Sequence, residues 1–295
     1  MTILLQRRQL LVAGAGAALA LTASLMPLNV FAASDSLQRQ LAALETEVNG
    51  RIGLALIDSA SQQAWSYRGD ERFPLCSTFK LLLVAAVLKR SESQPALMQQ
   101  TLHWTPADHL SYMPVTAKHP QGMTVSDLCA AALQYSDNLA ANVLLTLLGG
   151  PSSVTRLARS LGDSVTQLDR NEPTLNTAIP GDPRDTTTPL HMSHSVQQLL
   201  VKSGLQTAQR QQLIAWLKGN TTDKNAIAAA LPASWEIGDK TGSGGYGTTN
   251  DVAILWPPGK APLILSIYFT QHAPEAQSRQ DVLAKAASIA LKSFI

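Results

Sequence analysis

Cys76-Ser77-Thr78-Phe79-Lys80 opens a run, Leu81 to Leu88, that is almost wholly apolar and rich in helix formers. Residues three apart are neighbours on a helix, so the hydroxyl of Ser77 and the amine of Lys80 share one face. Serine is favoured where a helix begins, which predicts Ser77 at the helix's positive end, a sensible place for a nucleophile. Taken alone, a serine at a helix start followed by a lysine is ordinary capping. The flanking chain decides whether it is more.

Upstream, Leu37 to Val48 has the spacing of an amphipathic helix, and Ile52 to Ile57 reads as a buried strand. Ser59 to Gln63 then turns the chain into a return strand, Ala64 to Arg68, ended by Gly69-Asp70. Downstream, helical patterns dominate from Thr78 to about Leu217. Thr124-Val125-Ser126-Asp127 is a capping-box-like start ahead of Leu128 to Leu133, and a helix from Asn138 to Leu148 is stopped by Gly149-Gly150-Pro151. Regular patterning lapses between Leu168 and Pro189, and a structureless stretch that long is usually functional or disordered. Helix signals return over Ser193–Lys202 and Thr207–Leu217. Strands follow at Trp235–Thr241, Asn250–Trp256 and Leu263–Gln271, then a helix over Glu275–Leu291. Strands at both ends with helices between them predict an α/β domain formed by residues 33–69 and 218–295. A helical domain over 70–217, carrying the loop 168–185, would sit beside it, with a site in the cleft between the two.

The 295 residues, 45% of them hydrophobic, suffice for a large core. The first 32 read as a signal peptide: Arg7-Arg8 precede an apolar Leu10 to Leu21, and Val30-Phe31-Ala32-Ala33 spaces small residues for cleavage after Ala32. The arginine pair also fits a twin-arginine signal, so the export route stays open between that and general secretion. A periplasmic or secreted protein is expected. Removing residues 1–32 takes away Arg7 and Arg8 and no acid, which leaves 21 basic against 21 acidic side chains. No basic stripe with interleaved aromatics appears, so a nucleic-acid partner is not expected. Cys76 and Cys129 are expected as free thiols.

Three further stretches stand out. Tyr135-Ser136-Asp137-Asn138 lies between two helices, where alone it is a cap. Asp239-Lys240-Thr241-Gly242-Ser243-Gly244 ends a strand, where alone it is a hairpin. Glu172-Pro173-Thr174-Leu175-Asn176 sits in the irregular loop. Together and in this order, S-x-x-K, S-D-N and K-T-G are the set of penicillin-binding proteins and class A β-lactamases. With the Glu172 segment added, the mature chain resembles a class A serine β-lactamase along essentially its whole length. The resemblance implies an α/β fold, a five-stranded antiparallel sheet flanked by helices beside an all-helical domain. It also implies hydrolysis of penicillins and cephalosporins through a serine acyl-enzyme, and with it antibiotic resistance.

Opening a β-lactam amide needs an activated hydroxyl, a proton donor for the departing nitrogen, donors for the oxyanion and a base that delivers water. By the resemblance Ser77 is the nucleophile, Ser136 the proton donor and Glu172 the water base, with Asn176 beside it. Asn138 would hold Lys80 and the substrate side-chain amide. Lys240, Thr241 and Ser243 would hold the substrate carboxylate, Tyr112 would stand at the cleft mouth, and the backbone N–H groups of Ser77 and Ser243 would form the oxyanion hole. Lys80, with an ordinary pKa of about 10.4, is a base only if its surroundings depress that value. Whether Lys80 or Glu172 takes the acylation proton stays open at this level. Arg170 and Asp185 match the family's ion pair closing the loop.

Several positions depart from the pattern. Many members carry an arginine near the K-T-G strand for the carboxylate, whereas the aligned positions here are Ala226, Thr249 and Gln280; Lys224 or Arg279 are alternative cations. The family's two disulfides would need cysteines at Gly244 and Val84. Ser243 resembles the extended-spectrum cephalosporinase branch. The rival readings are a penicillin-binding D-Ala-D-Ala peptidase and a β-lactam sensor that stays acylated, and Glu172 argues against both. The six histidines make no H-E-x-x-H, and Gly242-Ser243-Gly244-Gly245 lacks the strand-loop-helix setting of a nucleotide loop, so no metal or cofactor is expected. The family expectation is a monomer with no membrane partner after signal cleavage.

Overall fold

The computed structural model describes residues 29–32, 35–292 and 294. The expected signal peptide falls outside the described residues apart from 29–32. An antiparallel sheet is built from β1 (Gly50–Asp58), β2 (Gln63–Tyr67), β3 (Glu236–Ser243), β4 (Thr249–Trp256) and β5 (Leu263–Gln271) in the order β2-β1-β5-β4-β3. This is the five-stranded sheet expected. One addition was not expected: Asn29–Ala32 lies parallel to β2 at the sheet edge, where that strand's outer backbone groups are open to pairing.

The strands read as continuous apolar runs because both faces are covered. On β5, Leu263, Leu265, Ile267 and Phe269 join the cluster under helices α1 (Asp35–Val48) and α8 (Gln280–Leu291). The alternate residues Ile264 and Tyr268 join the larger cluster shared with the remaining helices. The last helix begins at Gln280 rather than Glu275. Residues ahead of it are drawn into contacts with the sheet, Arg279 N donating to Thr249 Oγ1 and the Gln277 carbonyl accepting from Gln271 Nε2.

The central element of the helical body is α2 (Phe79–Ser91), where Phe79 to Ala85, Val87 and Leu88 are buried. A helix that is apolar on every side belongs in the middle of a core, and α2 is that helix. Around it stand α3 (Val125–Gln134), α4 (Asn138–Leu147), α5 (Ser152–Ser160) and α7 (Thr207–Lys218), while α6 (Pro189–Leu200) packs on β1 and β5 of the sheet. Thr124 caps α3 by accepting from Asp127 N, as the sequence suggested. Ser77 does not cap α2. It lies in a 3₁₀ turn, Cys76–Thr78, one step before the helix, and its hydroxyl is engaged elsewhere.

Cys76 and Cys129 are both buried and unpaired. Among the described residues no helix is long and apolar enough to cross a membrane.

Candidate active site

Lys80 is the hub. Its side chain is buried completely, and Nζ lies 2.9 Å from Ser77 Oγ, 2.8 Å from the Ser136 carbonyl and 2.7 Å from Asn138 Oδ1. Glu172 Oε1 stands 2.9 Å away. The Ser136 carbonyl and Asn138 Oδ1 can only accept, so they take two N–H bonds of Lys80 in either charge state. What varies is the third position on the nitrogen, a proton or a lone pair, facing Ser77 and Glu172. Burial lowers the Lys80 pKa, and the carboxylate of Glu172 opposes that shift only in part, so the net shift is downward.

The turn that presents Ser77 is strained, with Cys76 at φ 43°, and Ser136 opposite it has φ 57°. Left-handed backbone is costly for residues with side chains and persists at sites where the surroundings impose it. At Ser136 the imposing residue is its neighbour Asp137, which sequence reading treated only as part of a cap. Its carboxylate accepts from Ala140 N at the start of α4 and also from Val115 N, Thr116 N and the Thr116 hydroxyl. It therefore ties the loop carrying Tyr112 to the turn carrying Ser136. Asn138 N donates to the Tyr112 carbonyl, and the Tyr112 ring is half exposed at the cleft rim.

Glu172 is buried and held from two sides. Asn176 Nδ2 donates to its Oε2, and Ser77 Oγ lies 3.4 Å from its Oε1. Asn142 on α4 grips its main chain, Oδ1 accepting from Glu172 N at 3.0 Å and Nδ2 donating to the Glu172 carbonyl at 2.9 Å. Asn142 carried no signal in the sequence, since a polar residue on a helix face is ordinary. The loop is closed below by Asp185, buried completely, which accepts from Asp169 N, Arg170 N and Arg170 Nε at 2.7, 2.9 and 2.6 Å.

β3 brings the remaining residues. Lys240 Nζ, also fully buried, donates to Ser136 Oγ at 3.2 Å and to the Thr241 carbonyl at 2.8 Å. Burial and the nearby Lys80 lower its pKa to about 7. An arriving carboxylate favours the charged form, so binding and protonation of Lys240 are linked. Gly242 lets the strand approach the nucleophile turn: a Cβ there would stand 3.0 Å from Ser77 N and 3.1 Å from Thr78 N. At Gly244 a Cβ would meet the Asn176 carbonyl at 2.6 Å and Cys76 Sγ at 2.7 Å, so the turn after the strand is seated on the Glu172 loop. Gly245 N donates to that same carbonyl.

The cleft is about 990 Å³ and is lined by Ser77, Tyr112, Ser136, Asn138, Asn176, Thr241 and Ser243, among others. Every residue singled out for the site is thus brought to one place, Lys80, Glu172 and Lys240 being bonded into its floor. Neither suggested replacement for the arginine lines it. Lys224 is exposed elsewhere, and Arg279 forms a two-pronged bond to Asp281 at 2.7 Å for each prong. Thr222 and Gln280 do line it, and sequence reading did not find Thr222.

A family model described as the "Beta-lactamase enzyme family" matches residues 36–294. Beta-lactamase CTX-M-25 of Escherichia coli is 55% identical over 264 residues, 89% of this chain and 91% of its own. Beta-lactamase OXY-1 of Klebsiella oxytoca is 53% identical over 262 residues, 88% of this chain and 90% of its own. Among solved structures, the β-lactamase of Desulfarculus baarsii aligns with a TM-score of 0.86 at 47% identity, covering 88% of this chain and 97% of that one.

Proposed function

This chain belongs to the β-lactamase enzyme family, and from that premise we propose the roles its buried site residues play in β-lactam hydrolysis. The enzyme is a class A serine β-lactamase, opening the amide of penicillins and cephalosporins through a serine acyl-enzyme and so conferring resistance. In the proposed acylation Ser77 Oγ attacks the lactam carbonyl and its proton passes to neutral Lys80, the nearer base at 2.9 Å against 3.4 Å for Glu172. The carbonyl oxygen takes the developing charge against the N–H groups of Ser77 and Ser243, which Gly242 allows to converge. Collapse breaks the C–N bond, and Ser136 protonates the nitrogen, drawing a replacement proton from Lys80 at 3.5 Å. Lys240 and Thr241 hold the substrate carboxylate with Ser243, Asn138 holds its side-chain amide, and Tyr112 flanks the entrance.

In deacylation Glu172 removes a proton from water, the resulting hydroxide attacks the ester carbonyl, and as the C–O bond to Ser77 breaks Glu172 returns that proton to Ser77 Oγ, 3.4 Å away. Asn176 Oδ1, buried and with no partner among the described residues, offers that water a second acceptor. The single observation that carries this reading is the buried Glu172, held between Asn176 and Asn142 and facing Ser77. A peptidase or a sensor that stays acylated has no use for it. Mixed with a chromogenic cephalosporin, the purified enzyme is expected to release many equivalents of product per molecule. A single stoichiometric burst would defeat the reading.

Residues 33–69 and 218–295 are proposed to form an α/β unit and residues 70–217 a helical unit, the two meeting at the cleft. The protein is proposed to be exported to the periplasm or medium as a monomer cleaved after Ala32, a proposal supported by Arg7-Arg8 and the apolar Leu10 to Leu21. Cleavage there removes the short edge strand 29–32 and leaves β2 as the sheet edge. Amino-terminal sequencing of the exported protein is expected to begin at Ala33; a start within residues 1–29 would contradict the cleavage site.

A further inference from the structure

Among the described residues no arginine lines the cleft wall around Thr241, yet that wall is not loosely built. Thr222 Oγ1 lies 2.5 Å from Thr241 Oγ1. Thr222 is in turn held at both of its ends. Its hydroxyl and its own N–H both face Asn220 Oδ1, at 2.8 and 3.1 Å, and its carbonyl accepts from Gln280 Nε2 at 2.9 Å. Asn220 is fixed by donating from Nδ2 to Asp239 Oδ2 at 2.8 Å. Thr222, Thr241 and Gln280 all line the cleft.

Counting protons shows what this arrangement can do. A hydroxyl has one proton to donate. Asn220 Oδ1 keeps the Thr222 N–H wherever the Thr222 hydroxyl turns, so the hydroxyl proton is free to point at Asn220 or at Thr241. While it points at Asn220, Thr241 has Thr222 as its acceptor. Once a carboxylate is seated at Thr241, the charge-assisted bond draws the Thr241 proton to the anion. Thr222 can then turn its proton onto Thr241 Oγ1, and each bond in such a chain strengthens the next. Gln280 stands at one of the positions aligned with the family arginine, and its amide nitrogen is committed to the Thr222 carbonyl, so it positions Thr222 without adding charge.

We propose that Thr222 is a positioning residue that aims the Thr241 hydroxyl at the substrate carboxylate, through a two-hydroxyl relay that takes the place of a guanidinium. This rests on the reading that the cleft takes β-lactams with their carboxylate at Lys240 and Thr241. It makes Asn220 and Gln280 the supports that keep the relay in register.

The test compares one chromogenic cephalosporin with its methyl ester, using Thr222→Val, which keeps the shape and removes the hydroxyl, and Thr222→Ser, which restores it. For the free acid, Thr222→Val is expected to raise KM about tenfold, the scale of one lost hydrogen bond to a charged group, with kcat within about twofold. For the ester, which offers no anion, KM is expected to stay where the parent enzyme has it, and Thr222→Ser is expected to restore KM for the acid. An unchanged KM for the acid in Thr222→Val, or an equal rise for acid and ester, overturns the relay. Failure of Thr222→Ser to restore KM also overturns it. If the parent enzyme handles acid and ester alike, the carboxylate does not sit at Thr241, and it is the underlying reading that falls.

Discussion

Glu172→Gln acylates on Ser77 and then stalls, with kcat lower by about 10² to 10⁴, the usual worth of a general base. Two features separate the halves of the reaction. Glutamine keeps the side-chain shape that Asn176 holds and the main chain that Asn142 grips, but its amide cannot take a proton from water. Meanwhile the carboxylate of Glu172 is what raises the Lys80 pKa against the lowering effect of burial. Removing that negative charge favours the neutral amine, the form that can accept the Ser77 proton. Acylation is therefore expected to survive while ester hydrolysis collapses, and KM should fall as the covalent intermediate accumulates. Rapid-quench kinetics with a penicillin checks this. Loss of the acylation burst together with turnover would instead make Glu172 the acylation base as well.

Asp185→Ala is expected to be the most damaging substitution outside the catalytic residues. The Asp185 carboxylate is completely buried and receives three donors from Asp169 and Arg170, while its main-chain carbonyl accepts from Leu75 N at 2.8 Å. One residue thus closes the base of the Glu172 loop and anchors Leu75, which leads into Cys76-Ser77. Breaking a buried pair from one side typically costs about 3 to 5 kcal/mol. Arg170 keeps part of its side chain in water and a contact with Thr177, so the lower end applies, roughly 3 kcal/mol. For an enzyme of this size that corresponds to a fall in Tm of roughly 6 to 12 °C. Because Glu172 rides on the same loop, kcat should fall as well. A melting curve within about 2 °C of the parent's would show that the pair does not hold the loop.

The parts of the fold legible in the sequence are those where one residue type satisfies a local and a global demand together. The run Leu81 to Leu88 is apolar on every side and became the central helix, and Leu263 to Gln271 is apolar on both faces and became the covered middle strand. The motif residues were legible because the chemistry tolerates few substitutes at each place. Other parts were hidden for identifiable reasons. Ser77 looked like a helix cap, but Lys80, one turn on, claims its hydroxyl and a 3₁₀ turn displaces it from the cap position. Asn142 acts on a main chain 30 residues away, so nothing near it in sequence marks it. The same holds for Thr222, whose partner Thr241 lies on a different element, and for Gln280, which read only as an absent arginine. The last helix starts late because contacts to the sheet outweigh a helical pattern that fits equally well from Glu275.

Central to the account is an ester on Ser77 that forms without Glu172 and is removed only with it. The most direct measurement is a quenched time course of intact mass and peptide mapping on the parent enzyme and Glu172→Gln, each mixed with excess penicillin. One penicillin mass is expected to be added in the variant, mapped to the peptide containing Ser77 and persisting, while the parent returns to its free mass as substrate is exhausted. An unmodified variant, an adduct on another residue, or a parent enzyme that remains acylated would contradict it.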